Sequence, residues 1–291
     1  MRILVTGGSS FVGAHFCLRA VQRHEVIALH HRTPLRLNGV IPLRCDLRRE
    51  RDRARIAEAK PDVVVHLASK IRTVQGEETP GAISAALNRH MMEAVLAAGC
   101  PVVYGSSTVV HWSQETPYKQ SRVADEAQLR AAGRPYAIVR PCAPYGAELS
   151  THRPGHRESF QTLVSVIRAS PVVPVIGDGA YRRQPIHVDD LSDAILALIE
   201  RGLSGQELDA GGGEAHSFDA LIDLLAAALG RSVTKLHIPK LVAVKLSPLF
   251  RNLEPSLLGA VDTDELADPG PLTAATGVVP RGCRDGLHDL I

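Results

Sequence analysis

A doubly wound α/β fold, a parallel sheet with helices on both faces, is what the first half of this 291-residue sequence predicts. Three observations carry that expectation. Short β-branched runs alternate with helical stretches as far as Pro141, and strands separated by helices pair in parallel. A glycine-rich turn, TGGSSFVG (6–13), joins the first strand to the first helix. After Pro141 the text breaks into short mixed pieces, which predicts a smaller appended domain.

Element by element, RILVT (2–6) suits a buried parallel strand, being short, apolar and bounded by a turn. FVGAHFCLRAVQ (11–22) has helical spacing, EVIALH (25–30) is a second strand and VIPLRCDL (40–47) a third. RDRARIAEAK (51–60) is a basic amphipathic helix, and PDVVVHLAS (61–69) a strand with a proline start. AISAALNRHMMEAVLAAG (82–99) is a long helix stopped by glycine. PVVYGSS (101–107), YKQSRVADEAQLRAAG (118–133) and PYAIVRP (135–141) complete the alternation as strand, helix and strand. Residues 143–160 read as loop, followed by VVPVIGDG (172–179), PIHV (185–188), DLSDAILALIE (190–200), QELDAG (206–211) and SFDALIDLLAAALG (217–230). The expected division is a dinucleotide-binding domain over 1–150, with 184–205 returning to it, and a substrate domain over 151–291.

Composition narrows the function. Hydrophobic residues make up 45% of the chain, enough for a real core, and the net charge of +2 gives no reason to expect nucleic acid or a membrane surface as partner. Five widely spaced cysteines with no CxxC argue against a disulfide framework or a zinc site and for a reducing cytoplasm. The N-terminus MRILVTGG has too short an apolar run for a signal peptide. None of the 13 histidines forms HxH or HExxH, so no metal is expected.

The glycine-rich turn sits where a dinucleotide pyrophosphate would bind. Gly7 and Gly13 permit the tight turn and close helix–strand packing, and the helix N-terminus offers free N–H groups to phosphate. The end of the second strand carries His30, His31 and Arg32 instead of a carboxylate. Cations there favour a 2′-phosphate, so NADP is the expected cofactor and NAD the alternative. Arg32 is otherwise a solvated loop residue. Asp46 is either a hydrogen-bond acceptor for the adenine amino group or a helix N-terminal charge, and HLAS (66–69), with Leu67 and Ala68, supplies backbone near the nicotinamide.

TPYKQSR (116–122) places Tyr118 and Arg122 four residues apart, on one face of a helix. Hydride transfer at a carbon bearing oxygen needs a proton moved at that oxygen. A free tyrosine, with a pKa of about 10, is too weak a base at neutral pH. A nearby cation, helped by the cationic nicotinamide ring of the oxidised cofactor, is expected to lower it; a shift of roughly three units asks for about 4 kcal/mol. Arg122 keeps the charge but, unlike lysine, is permanently protonated and planar. Lys119 is no substitute, since it lies about 100° round the helix. The opposite reading is a packing tyrosine and a solvated helix charge.

Taken in order, these motifs resemble the extended short-chain dehydrogenase/reductase family of sugar-nucleotide epimerases, dehydratases and reductases, whose dinucleotide domain is Rossmann-like. TGGSSFVG is similar to the family's TGxxGxxG and brings in Ser10, Phe11 and Val12. CDL (45–47) is similar to its D-[LVI], with Leu47, and HLAS to its H-x-A-[AS]. YGSSTVV resembles the strand carrying the catalytic Ser/Thr, YKQSR the Tyr-x-x-x-Lys pair, and VRPCAPYG (139–146), with Pro141, the R-P-x-x-x-Y-G stretch. IGDGAYRRQPIHVDDL (176–191), ELDAGGGE (207–214) and ATGVVPR…GLHDLI follow in family order. The resemblance implies Ser107, or Thr108 one position on, as the residue holding the substrate oxygen against Tyr118. It implies Arg122 in the lysine position, also bonding the nicotinamide ribose, and Arg183 gripping a nucleotide diphosphate. Arg153, His156 and Arg157 are either a phosphate-facing rim or a solvated loop.

The departures are Ser10 for the middle glycine, His30 for the usual acid, Arg122 for lysine, and a shortened loop, VVHWSQETP, before Tyr118. Three functions are therefore expected in turn: an NAD(P)-dependent oxidoreductase or epimerase acting on a sugar nucleotide or related small metabolite; a dinucleotide-binding scaffold or sensor that has lost turnover; and a secondary-metabolite ketoreductase with no nucleotide in its substrate. A homodimer through helices 82–99 and 118–133 is the family's implied assembly.

Overall fold

The structure, a computed structural model, describes residues 1–71, 81–149, 158–246 and 261–290. The loop bearing Arg153, His156 and Arg157 lies outside them. The strands are β1 Arg2–Thr6, β2 Glu25–His30, β3 Ile41–Arg44, β4 Val63–His66, β5 Val102–Gly105, β6 Tyr136–Pro141, β7 Val172–Ile176, β8 Arg182–Arg183, β9 Gln206–Ala210, β10 His216–Ser217 and β11 Thr234–Ile238. The longer helices are α1 Phe11–Ala20, α2 Glu50–Glu58, α3 Ala82–Leu96, α4 Pro117–Ala131, α5 Ser159–Ala169, α6 Val188–Arg201 and α7 Phe218–Ala228.

Seven strands form one sheet in the order β3-β2-β1-β4-β5-β6-β9, every neighbouring pair parallel. This is the doubly wound order with one strand added at the edge. The order reverses between β1 and β4, where Thr6 pairs with His66 in register; ligands of such sheets bind outside the strand ends at that switch point. Alternate residues serve opposite faces. Ile3, Val5, Val63, Val65, Ala137 and Val139 pack beneath α1 and α6, while Leu4, Val64, Val102, Tyr104 and Ile138 meet Met92 and Val95 of α3 and Leu129 of α4. The segment returning to the sheet is α6 with β9, 188–210.

A smaller layer lies beyond. Strands β7 and β11 pair in parallel, and α5 and α7 meet in a third core of Tyr145, Phe160, Val164, Ile167, Val175, Leu221 and Leu225. Residues 159–160, expected as loop, open α5 instead. Its apolar residues Phe160, Val164 and Ile167 recur at helical spacing and are buried, which is what holds the helix there. Strand β11 escapes sequence detection because it is short and mostly exposed at Thr234, Leu236 and His237.

The glycine turn is closed by close backbone approach. Gly7 has φ +70°, and a Cβ on Gly13 would stand 2.2 Å from the Gly7 carbonyl oxygen. Replacing Gly13 with Ala should cost about 1–3 kcal/mol through forced backbone displacement. Urea melting checks this; an unchanged midpoint would show that the turn tolerates a side chain.

Candidate active site

The site gathers at the carboxyl ends of β1, β4 and β5 and the start of α4. Ser10 precedes α1 as its N-cap, its hydroxyl accepting from Gly13 N at 3.1 Å. The residue replacing the middle glycine thus satisfies one free N–H of the helix and stays within the turn. Phe11 is buried, Val12 partly so, and Ala68 N donates to Thr6 Oγ1 at 3.2 Å, drawing the HLAS backbone against the turn. Leu67 packs on the core beside Gly105. The cradle of Gly7, Gly8 and Gly13, too tight for any Cβ, fits a pyrophosphate approaching the N-terminus of α1.

At the adenosine end Asp46 has partners of its own. Its buried carboxylate takes a two-point ion pair from Arg48, Nε and Nη2 each at 2.7 Å, with His31 at 3.4 Å and Arg49 at 3.5 Å. The bonds from Arg48 hold Asp46 far below the usual carboxylate range. An adenine amino group would have to share it. Leu47 beside it is buried; Arg32 is exposed, and His31 is 40% exposed. Nothing in the local sequence marks Arg48 as the partner, because two other arginines follow it within three residues.

Tyr118 owes its position to the start of α4. Thr116 caps the helix, its side chain accepting from Lys119 N at 3.1 Å, and Pro117 fills the first turn. Lys119 turns away to the Trp112 carbonyl and Glu115. Arg122, one turn on, is 1% exposed. Its guanidinium lies between two rings, 5.4 Å from the centroid of Tyr118 and 5.3 Å from that of Tyr104. Its Nη2 donates to Asp125 Oδ2 at 2.9 Å, the Tyr104 hydroxyl donates to the same oxygen at 2.9 Å, and its buried Nε has no hydrogen-bond partner among the described residues. Tyr118 and Arg122 therefore face each other as expected.

Within the protein's own groups the tyrosine shift is upward. Burial raises the Tyr118 pKa above its ordinary value; Arg122 and a hydrogen bond with Ser107 lower it, and Glu158 and Glu265 raise it. One guanidinium shared with Asp125 does not overcome the loss of water. The protein alone keeps Tyr118 protonated at neutral pH, and a further positive charge is needed to ionise it.

Ser107 bonds the phenol and caps the turn Thr108–His111 through Val109 N. Thr108 does not serve: its buried hydroxyl donates to Glu265 Oε1 at 2.6 Å. Arg183 is already engaged within the chain. It bonds the carbonyls of Val261 and Thr263 and that of Arg182 at 3.1 Å, lies 3.7 Å from Glu265, and stacks on Tyr181 at 4.7 Å. Arg182 pairs with Asp264 instead. Pro141 ends β6, its carbonyl accepting from the Thr108 hydroxyl at 3.4 Å. Glu158, which the sequence does not flag, stands at the start of α5 with its carboxyl pushed up to about 7 by burial, and its charge acts on Tyr118. Asp189 and Asp190 are ion-pair partners of Arg19 and Arg281, with His187 as the cap of α6.

Behind Ser107 a buried network fixes the strand end. Ser106 donates to Glu126 at 2.7 Å, and Arg140 clamps Glu126 through two bonds of 2.7 Å. His66 bonds Thr6 Oγ1 at 2.6 Å and stacks on Tyr104. One rigid set of contacts therefore links the glycine turn, β4, β5 and α4.

With the geometry in place, the chain matches the NAD dependent epimerase/dehydratase family over residues 3–211 and belongs to that family. It is 24% identical to a UDP-glucose 4-epimerase of Mycolicibacterium smegmatis, over 89% of this chain and 93% of that protein. It is 29% identical to a ceramide reductase of Caulobacter vibrioides, over 70% of this chain and 62% of that one. Its fold is that of the UDP-glucose 4-epimerase from Bifidobacterium longum solved with NAD+ and UDP, at 19% identity, with a TM-score of 0.80 and coverage of 99% and 96%. No helix among the described residues is long and apolar enough to cross a membrane.

The site makes stability depend on pH. Burial, then Arg122, depress the His66 pKa to about 3, against about 6.5 when unfolded. Between those values the unfolded chain binds a proton that the native state refuses. Stability is therefore full above about pH 6.5 and falls toward pH 3, by up to about 1.4 kcal/mol per pH unit. Urea melts at pH 7 and pH 5 should differ by about 2 kcal/mol, and His66→Asn should shrink the difference.

Proposed function

We propose that this protein transfers hydride between a nicotinamide dinucleotide and a carbon bearing a hydroxyl or keto oxygen in a sugar nucleotide, as a reductase or epimerase. The observation that carries this reading is the meeting of Ser107, Tyr118 and Arg122 past the end of β5, linked to the glycine turn through Tyr104, His66 and Thr6. When bound, the dinucleotide supplies hydride acceptance or donation. The chain's own residues handle the oxygen: Ser107 holds it, and Tyr118 gives or takes its proton. Because burial keeps the phenol protonated, Tyr118 is poised as the acid for reducing a ketone. Arg122 contributes a fixed positive charge that favours the phenolate in the opposite direction. Gly7, Gly8, Gly13 and the N-terminus of α1 would hold the pyrophosphate, and Leu67 and Ala68 would flank the nicotinamide.

The family and its solved neighbours are described with NAD. We further propose that NADP binds at least as well, because β2 ends without a carboxylate and His31, Arg32 and Arg48 surround the site. The assembly is proposed as a homodimer through α3 and α4, where Ile83 and Val123 are each 44% exposed, working in the reducing cytoplasm that five free thiols suit.

A second reading, a keto-metabolite reductase whose substrate carries no nucleotide, is favoured by the engagement of Arg183 with residues 261–265. Under the first reading, UDP or dTDP raises the melting temperature and Arg183→Ala abolishes the rise. Under the second, neither nucleotide stabilises the protein.

Tyr118→Phe should retain dinucleotide binding and lose turnover by about 100- to 10,000-fold. Normal turnover in that variant removes Tyr118 from the mechanism. Complete absence of turnover in the wild type with bound dinucleotide, across sugar nucleotides and ketones, would return the chain to a binding role.

A further inference from the structure

Arginine stands here where the family's pair has lysine, and the structure shows what accompanies it. The Arg122 guanidinium lies against the rings of both Tyr104 and Tyr118, and it is almost wholly withdrawn from water. Such a cation needs a fixed counter-charge. Asp125, 2% exposed, supplies it from the same helix, three residues on. Tyr104, from the neighbouring strand β5, pins that carboxylate by donating to the oxygen Arg122 uses. None of these three groups is held by solvent.

We propose that Asp125, fixed by Tyr104, is a positioning residue for the proton transfer: it holds the Arg122 guanidinium over the ring of Tyr118 and sets how much of its positive charge the phenol feels. The proposal rests on Tyr118 being the proton-transfer group. Two consequences follow from simple electrostatics. The carboxylate keeps the cation near the phenol, and it offsets part of the cation's field. Taking away the negative charge while keeping the side chain's shape leaves Arg122 acting less opposed, so the phenol ionises at lower pH. Removing the Tyr104 hydroxyl leaves the carboxylate's charge less shared, so the phenol ionises at higher pH.

The other groups facing these residues stay constant across the comparison. Around Tyr118 they are Ser107 from the end of β5, Glu158 from the start of α5 and Glu265 from the segment crossing the cleft. Around Arg122 and Asp125 they are His66 on β4, Arg89 on α3 and Glu126 on α4. His66 remains neutral above about pH 3, and Glu126, clamped by Arg140, is held low. Glu158, pushed up to about 7, is ionised throughout an alkaline titration and contributes the same charge to every variant.

The test is a phenolate ultraviolet titration of the NAD+-loaded protein, with the Tyr118→Phe spectrum subtracted so that only Tyr118 is read. It needs no knowledge of the substrate, so it is separate from the turnover test of Tyr118 itself. Asp125→Asn should lower the Tyr118 midpoint by about 0.5–1 pH unit. Tyr104→Phe should raise it by a smaller amount. Asp125→Glu, which restores the charge, should return the midpoint toward the wild-type value. A midpoint unmoved in Asp125→Asn, with NAD+ still bound, overturns the proposal, since a merely structural aspartate would leave it there. Should Asp125→Asn fail to fold, Tyr104→Phe decides alone: an upward displacement supports the role, and an unmoved midpoint overturns it.

Discussion

A guanidinium withdrawn from water between two tyrosine rings is the interaction on which the rest of this site depends. Burying a cation is costly unless it is paired and hydrogen-bonded, and Arg122 meets that requirement through Asp125. The pairing in turn fixes Tyr104, on which His66 stacks, and His66 bonds Thr6 at the end of the first strand. The phenol of Tyr118 is thereby tied to the glycine turn through successive contacts that pass from α4 to β5, β4 and β1. A proton-transfer group and a dinucleotide cradle need to be placed within a fraction of an ångström of one another, and this stack is how the chain does it.

The same arrangement sets the chemistry's direction. Lysine in the usual position is a flexible point charge, whereas arginine is planar and permanently charged. Sandwiched and tied to Asp125, it stabilises a phenolate only partly, and burial wins. A protonated phenol suits donation of a proton to a carbonyl oxygen. Under the proposed function such a site would favour reduction, with an oxidative half-reaction drawing on the positive charge of an oxidised nicotinamide.

The doubly wound sheet was legible because parallel strands buried on both faces are short apolar runs, and the first here runs straight into the glycine turn at Thr6–Gly7. Tyr118 and Arg122 were legible too, since helical spacing puts them on one face. What local sequence does not encode is the choice among long-range partners. Asp46 is followed by Arg48, Arg49 and Arg51, and only the fold selects Arg48. Arg183 is bonded by carbonyls about 80 residues further along the chain, beyond the reach of any motif. Helix α5 carried a readable pattern in Phe160, Val164 and Ile167, masked by the polar loop composition just before it. The balance of influences on Tyr118 is hidden for a related reason: spacing reveals the neighbouring cation, while burial and the opposing carboxylates of Glu158 and Glu265 come from elements distant in sequence.

The most direct trial of the account is the pH dependence of hydride transfer in Arg122→Gln, measured in both directions. A phenol that depends on the guanidinium should lose the oxidative direction more than the reductive one, with the rising limb of the oxidative profile displaced to higher pH by about 1–2 units. Equal rates and an unmoved limb in Arg122→Gln would mean that the buried cation only packs the helix, and that Tyr118 exchanges its proton without it.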